Sequence, residues 1–197
     1  MRALHRRLAP ALILALAACG SEANESVTAP PVSLNQGSGV ELFVQGAGVV
    51  DFTAAAAGFG DFEFVAIRRA DGTVTGQFRQ SRERPDGTVD FEGVVTCVTI
   101  DPAFPGRARI GGVVTENTST SPAFLTENHE VGDDVWFRVT DSEHGLDPAD
   151  ASTTYGFKPT LVNTSAEYCA LPFTGLPAWN LGSIFPLKQG TIIVKAQ

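Results

Sequence analysis

The sequence predicts an all-β domain, a single antiparallel barrel or sandwich of about seven to nine strands. Three observations carry that expectation. Apolar and polar residues alternate over short runs, the period of a half-buried strand. The turn core Asp-Gly-Thr-Val occurs at Asp71–Val74 and again at Asp86–Val89, fifteen residues apart. No stretch of twelve residues holds a 3.6-residue period without Gly or Pro interrupting it.

The elements follow in order. Val40, Leu42 and Val44 alternate with Glu41, Phe43 and Gln45, and Phe62, Phe64 and Ala66 with Glu63, Val65 and Ile67. The alternation continues through Val89, Phe91, Val95 and Cys97, then Ala108, Ile110 and Val113, then Val135, Phe137 and Val139. Ile192 and Val194 supply a last short strand. Asp-Gly tolerates the positive φ angles of tight hairpins, so the two repeated cores mark consecutive reversals. Asp101-Pro102 to Pro105-Gly106 marks the next. A barrel or a sandwich disposes of the exposed edges such strands would otherwise present.

Ahead of this domain the chain changes character. Met1-Arg2-Ala3-Leu4-His5-Arg6-Arg7 is basic, Leu8 to Ala18 is apolar, and Cys19 follows. Eleven apolar residues rise too little as a helix to cross a hydrocarbon core of about 30 Å, so the pattern reads as an export signal. Leu16-Ala17-Ala18-Cys19 resembles the lipobox of bacterial lipoproteins, in which the Cys thiol is lipidated before cleavage leaves that Cys first. The resemblance implies a signal peptide over residues 1–18 and a diacylglyceryl group on Cys19, with an acylated, palmitate-type amine. Attachment to a bacterial membrane follows, and Gly20 in place of Asp favours an outer membrane where the source has two. The alternatives are ordinary signal-peptidase cleavage with Cys19 incidental, and twin-arginine export through Arg6-Arg7. Residues 19–39, rich in Ser, Gly, Asn, Pro and acid, read as a flexible tether of roughly 25 Å, and residues 40–197 as the domain.

Charge narrows the partners. The whole chain carries 14 Lys and Arg against 22 Asp and Glu; without Arg2, Arg6 and Arg7 the net charge moves from −8 to −11. Phosphate backbones recruit a surplus of cations, so nucleic acid is excluded as a partner. An acidic surface is also repelled by anionic headgroups, which leaves the lipid to do the attaching.

Several motifs occur in order along the domain: Gly46-Ala47-Gly48, Phe62-Glu63-Phe64-Val65-Ala66, Gly72 to Phe78, Gly93 to Val98 and Ala108 to Val113. Val135 to Asp141 and Gly190 to Val194 complete the set. Together they resemble a small all-β module of bacterial secreted proteins and lipoproteins, over roughly residues 44 to 195. That family has no established activity, so the resemblance implies location and fold without a mechanism. The chain departs from it between Pro159 and Pro186, where a shorter return to the last strand is expected.

Four groups of residues are candidates for chemistry. Cys97 and Cys169, the two thiols left beside Cys19, read as a disulfide in an exported chain, with two buried thiols as the alternative. Cys97 is expected to face inward with Phe91 and Val95. The acid-rich stretch offers Asp141, Glu143, Asp147 and Asp150 as oxygen ligands for Ca²⁺, without EF-hand spacing; solvated acidic loops are the alternative. His129 and His144 lack zinc-ligand spacing. The segment Gly156 to Gln189, with four prolines and five aromatics, reads as a plug over a barrel end or as a rim where Tyr168 and Trp179 meet a glycan or apolar ligand.

No nucleophile elbow is present, and no cofactor is implied. The sequence therefore reads as a lipid-anchored binding or structural module of the cell envelope, with a protein or glycan as partner, rather than as an enzyme. The alternative is a small β-barrel enzyme acting on a carbohydrate or lipid. An interior filled by Phe62, Phe64, Phe91, Ile110 and Phe137 would leave no room for catalysis.

Overall fold

The alternating runs become strands that close on themselves. The computed structural model describes residues 39–53, 58–125, 129–143, 149–153, 162–173 and 184–197. Residues 1–38, with Cys19, lie outside the described residues, as do His144, Asp147 and Trp179. Among the described residues the strands are β1 (Val40–Asp51), β2 (Phe59–Arg69), β3 (Val74–Arg84), β4 (Gly87–Ile100), β5 (Arg107–Asn117), β6 (Asp134–Thr140), β7 (Ala151–Ser152) and β8 (Phe185–Ala196). Each pairs antiparallel with the next, and β8 returns to pair with β1. The result is a closed up-and-down barrel, the barrel member of the predicted pair. Two short helices interrupt the connections, α1 (Pro122–Leu125) and α2 (Ser165–Ala170).

The repeated turns act as the sequence implies. Gly72 and Gly87 take φ of 83° and 136°, and the Asp71 carboxylate accepts the Thr73 N–H at 2.9 Å. With both reversals fixed, the register of β3 against β2 and β4 is fixed too, Phe78 opposing Phe64 on one side and Gly93 on the other.

Phenylalanine fills the barrel. Phe64 and Phe137 meet edge to face with centroids 5.2 Å apart, Phe137 contacts Phe78 at 6.2 Å, and Phe78 contacts Phe91 at 6.5 Å. Inward glycines make the space: a Cβ on Gly46 would lie 2.6 Å from the Phe64 ring, and one on Gly112 would lie 2.7 Å from Phe78. Large and small inward residues thus alternate around the wall, as a narrow barrel requires. Phe62, Phe64, Phe91, Ile110 and Phe137 all belong to this core.

Two inward assignments change. Val114, not Val113, completes the series after Ala108 and Ile110, because strict alternation passes through Gly112. Cys97 faces outward. The register of β4 against β5 slips between Val95 and Cys97, so one extra residue returns Val98, not Cys97, to the core. A single-residue bulge exchanges the two faces of a strand.

The long return to β8 does not plug the barrel where it is described. α2 lies on the outer wall over β4, β5 and β6. Thr164 caps it, its Oγ1 accepting the Glu167 N–H at 3.2 Å, while the Glu167 carboxylate reaches back to the Asn163 N–H at 2.7 Å. Gly111 allows the close approach, since a Cβ there would stand 2.7 Å from both Cys97 Sγ and Ser165 Cβ. The Cys97–Cys169 disulfide, with Cα atoms 6.2 Å apart, fastens the helix to β4. One barrel mouth is instead roofed by the β5–β6 connection that carries α1. Asn117 Nδ2 donates to the carbonyls of Phe124 and His129, both at 2.7 Å, and Thr120 Oγ1 accepts the Thr88 N–H at 2.8 Å.

Candidate functional site

Beneath that roof β3 breaks the apolar rule of the interior. Its inward positions run Phe78, Gln80, Arg82, because residues two apart share a face. Gln80 is 1% exposed, and among the described residues neither polar atom of its amide has a hydrogen-bond partner. Arg82 is 7% exposed, and its Nε is fully enclosed and unbonded. Among the described residues no carboxylate, carbonyl or hydroxyl accepts from it.

Aromatic rings take the place of an anion. The Arg82 guanidinium carbon lies 5.2 Å from the centroids of both Phe52 and Phe124. Gly60 makes this approach possible, since a Cβ there would meet the Phe52 ring at 2.8 Å and Arg82 Cβ at 3.4 Å. Phe124 packs on Phe91 and on the His129 ring, at 6.3 and 4.6 Å. The neighbouring cation is already neutralised: Arg84 Nε donates to Asp86 Oδ1 at 2.8 Å, and Asp86 Oδ2 accepts from Ser121 Oγ.

Burial, and after it the Arg84 charge, push the Arg82 guanidinium down to about 10. Each cation–π contact contributes about 1–2 kcal/mol, short of the several kcal/mol that burying a lone charge costs. Gln80 adds roughly 1–3 kcal/mol for an unsatisfied amide. The mouth is a locally unfavourable pair of polar groups set into an otherwise well-packed barrel.

The outer wall presents a second buried cation, Arg109, whose guanidinium finds backbone acceptors. Arg109, 1% exposed, donates to the Leu171 carbonyl at 2.6 Å and the Pro172 carbonyl at 3.4 Å, and stacks over Phe173 at 4.2 Å. Tyr168 is buried, its ring stacked on Trp136 at 5.7 Å. It therefore offers no open face to a ligand, so the rim alternative does not hold for Tyr168, because α2 turns it onto the wall. Burial pushes its phenol up to about 12, against the opposing pull of Arg138 and Arg109. The folded state thus disfavours the phenolate, and stability falls as pH rises from the ordinary value of 10 towards 12. In a Tyr155→Phe background, absorbance at the phenolate band is expected to show Tyr168 protonated until about pH 12. Ionisation near pH 10 in folded protein would contradict the burial.

The acidic stretch closes the barrel seam. β7 spans only two residues, so among the described residues most of that edge of β8 lacks a strand partner. Asp150 Oδ2 accepts the Ile192 N–H at 2.8 Å and Asp141 Oδ2 the Val194 N–H at 2.9 Å. Their other oxygens accept the Ser142 and Glu143 N–H groups, each at 2.9 Å. Two of the four carboxylates considered for Ca²⁺ are therefore committed to backbone donors. Among the described residues no three His, Cys, Asp or Glu side chains converge as a metal site.

Open depressions of about 230 and 190 Å³ lie on the outer wall around Arg79, whose charge is paired with Asp90 at 3.1 Å. Among the described residues no helix is long and apolar enough to cross a membrane. No family model, curated protein or solved structure matches the chain, so its chemistry is read from its own residues. Gln80 and Arg82 did leave a signal: after Phe78 the strand becomes polar on both faces, in the sequence Arg79 to Arg84.

Proposed function

We propose that this chain is an exported, lipid-anchored module of a bacterial cell envelope, attached through Cys19, whose barrel binds a ligand at one mouth. The observation that carries the binding reading is the Arg82–Gln80 pair, a buried guanidinium whose Nε and a buried amide whose two polar atoms have no hydrogen-bond partner among the described residues, in a barrel otherwise packed with phenylalanine. Protein interiors leave few such groups unsatisfied, and a bound ligand, ion or water is what satisfies many of them. The lipobox-like Leu16 to Cys19 supports the anchor, and the acidic mature chain supports lipid rather than a basic patch as the attachment.

Two substitutions test the two halves. Cys19→Ser is expected to abolish incorporation of labelled palmitate and to move the chain from the membrane to the soluble fraction. Unchanged membrane retention and labelling would refute the anchor. Arg82→Met keeps the length and apolar contacts of the side chain and removes its charge. A residue kept for binding gives a variant as stable as wild type or more stable, by roughly 1 kcal/mol. Marked destabilisation in urea would instead make the guanidinium a structural group and refute the mouth as a site.

A further inference from the structure

We propose that the mouth binds a small organic monocarboxylate, with the carboxylate on Arg82 and an aliphatic or aromatic body against Phe52 and Phe124. This rests on the reading of the mouth as a binding site. The charge count selects a monoanion. Arg84 is paired with Asp86 at 2.8 Å, so among the described residues the charges of Arg82, Arg84 and Asp86 sum to one positive at the mouth. A doubly charged phosphate would bring a net negative charge among the rings.

Geometry favours a carboxylate for a second reason. Guanidinium presents a planar fork that matches the two carboxylate oxygens, and its hydrogen bonds to them are charge-assisted. Arg82 is pre-organised for this, since the two rings hold its guanidinium carbon 5.2 Å from each centroid and take up none of its hydrogen-bond donors. The same rings provide an apolar surface for the ligand's body. Gln80, two residues back on the same inward face, holds one acceptor and one donor group in reserve. A hydroxyl, keto or amide group beside the carboxylate would satisfy it. The chemical class is thus an apolar carboxylic acid, with a polar substituent near the acid group in its best members.

Thermal unfolding of the detergent-solubilised full chain tests this, with benzoate and hexanoate as probes and benzyl alcohol and inorganic phosphate as controls. Both carboxylates are expected to raise Tm, by about 5–10 °C at one hundred times Kd, while benzyl alcohol leaves it unchanged. Arg82→Met is expected to weaken binding at least 100-fold. Arg82→Lys, which keeps the charge and loses the fork, should weaken it about tenfold. No carboxylate shift, or an equal shift in Arg82→Met, overturns the proposal. A phosphate shift that depends on Arg82, without a carboxylate shift, overturns the ligand class and leaves the binding module standing. A destabilised Arg82→Met together with no ligand response in the wild type overturns both.

Discussion

Replacing both Cys97 and Cys169 with alanine is expected to lower stability by about 4 kcal/mol. The bridge closes a loop between residues 72 apart in sequence, and a loop of that size restricts the unfolded chain far more than the folded one. The folded side of the ledger is local. α2 has six residues, too few to persist alone in water, and the bridge holds it beside partners that complete it. Thr96 Oγ1 meets Ser165 Oγ at 3.0 Å, Asp134 Oδ1 accepts the Ser165 N–H at 2.8 Å, and Arg109 donates to the Leu171 carbonyl just after the helix. Denaturation in urea with and without a reductant measures the difference. Emission from Trp136, 1% exposed beneath Tyr168, is expected to shift to the red as α2 leaves the wall. A reduced protein within 1 kcal/mol of the oxidised one would show that packing alone holds the segment.

Asp150→Ala is expected to cost about 3 kcal/mol or more, because hydrogen bonds to an ionised acceptor contribute about 1.5–3 kcal/mol each. The carboxylate accepts from Ile192 N at 2.8 Å, Ser142 N at 2.9 Å, Ser142 Oγ at 2.8 Å and Thr191 Oγ1 at 3.3 Å. It stands in for the strand that β7 is too short to provide. Without it the Ile192 amide, part-buried at the seam, has no acceptor. Amide exchange localises the effect: Ile192 should lose protection first, while Val194, held by Asp141, loses less. Asp150→Asn retains an acceptor oxygen and is expected to lose about 1 kcal/mol. An alanine variant within 0.5 kcal/mol of wild type, with Ile192 still protected, would mean that the seam closes without its carboxylate.

Both expectations concern residues whose partners are remote in sequence, and the same distance explains which features were legible beforehand. Asp71-Gly72 and Asp86-Gly87 announced their turns because the preference for positive φ belongs to the dipeptide itself. Phe62, Phe64, Phe91, Ile110 and Phe137 announced the core because alternation of period two is a local property of a strand. Cys97 was placed on the wrong face because a bulge depends on which residue of β5 stands opposite. The acids at 141 and 150 suggested a cation because their true partners, the Val194 and Ile192 amides, are 53 and 42 residues away. Tyr168 suggested a rim because nothing near it in sequence shows that Trp136 will lie beneath it.

By itself the sequence determined an all-β domain, two of its hairpin turns and most of its aromatic core, and it offered Cys97–Cys169 as a bridge. Those are consequences of periodicity, turn chemistry and residue count. Only the tertiary structure decided that the sheet closes as a barrel, that carboxylates complete its seam, and that α2 rides on the outer wall. It also brought Phe52, Gln80, Arg82 and Phe124 together under one roof. A site of that kind is made by strand closure, which sets residues from separate turns of the chain around one mouth, and no local pattern encodes it.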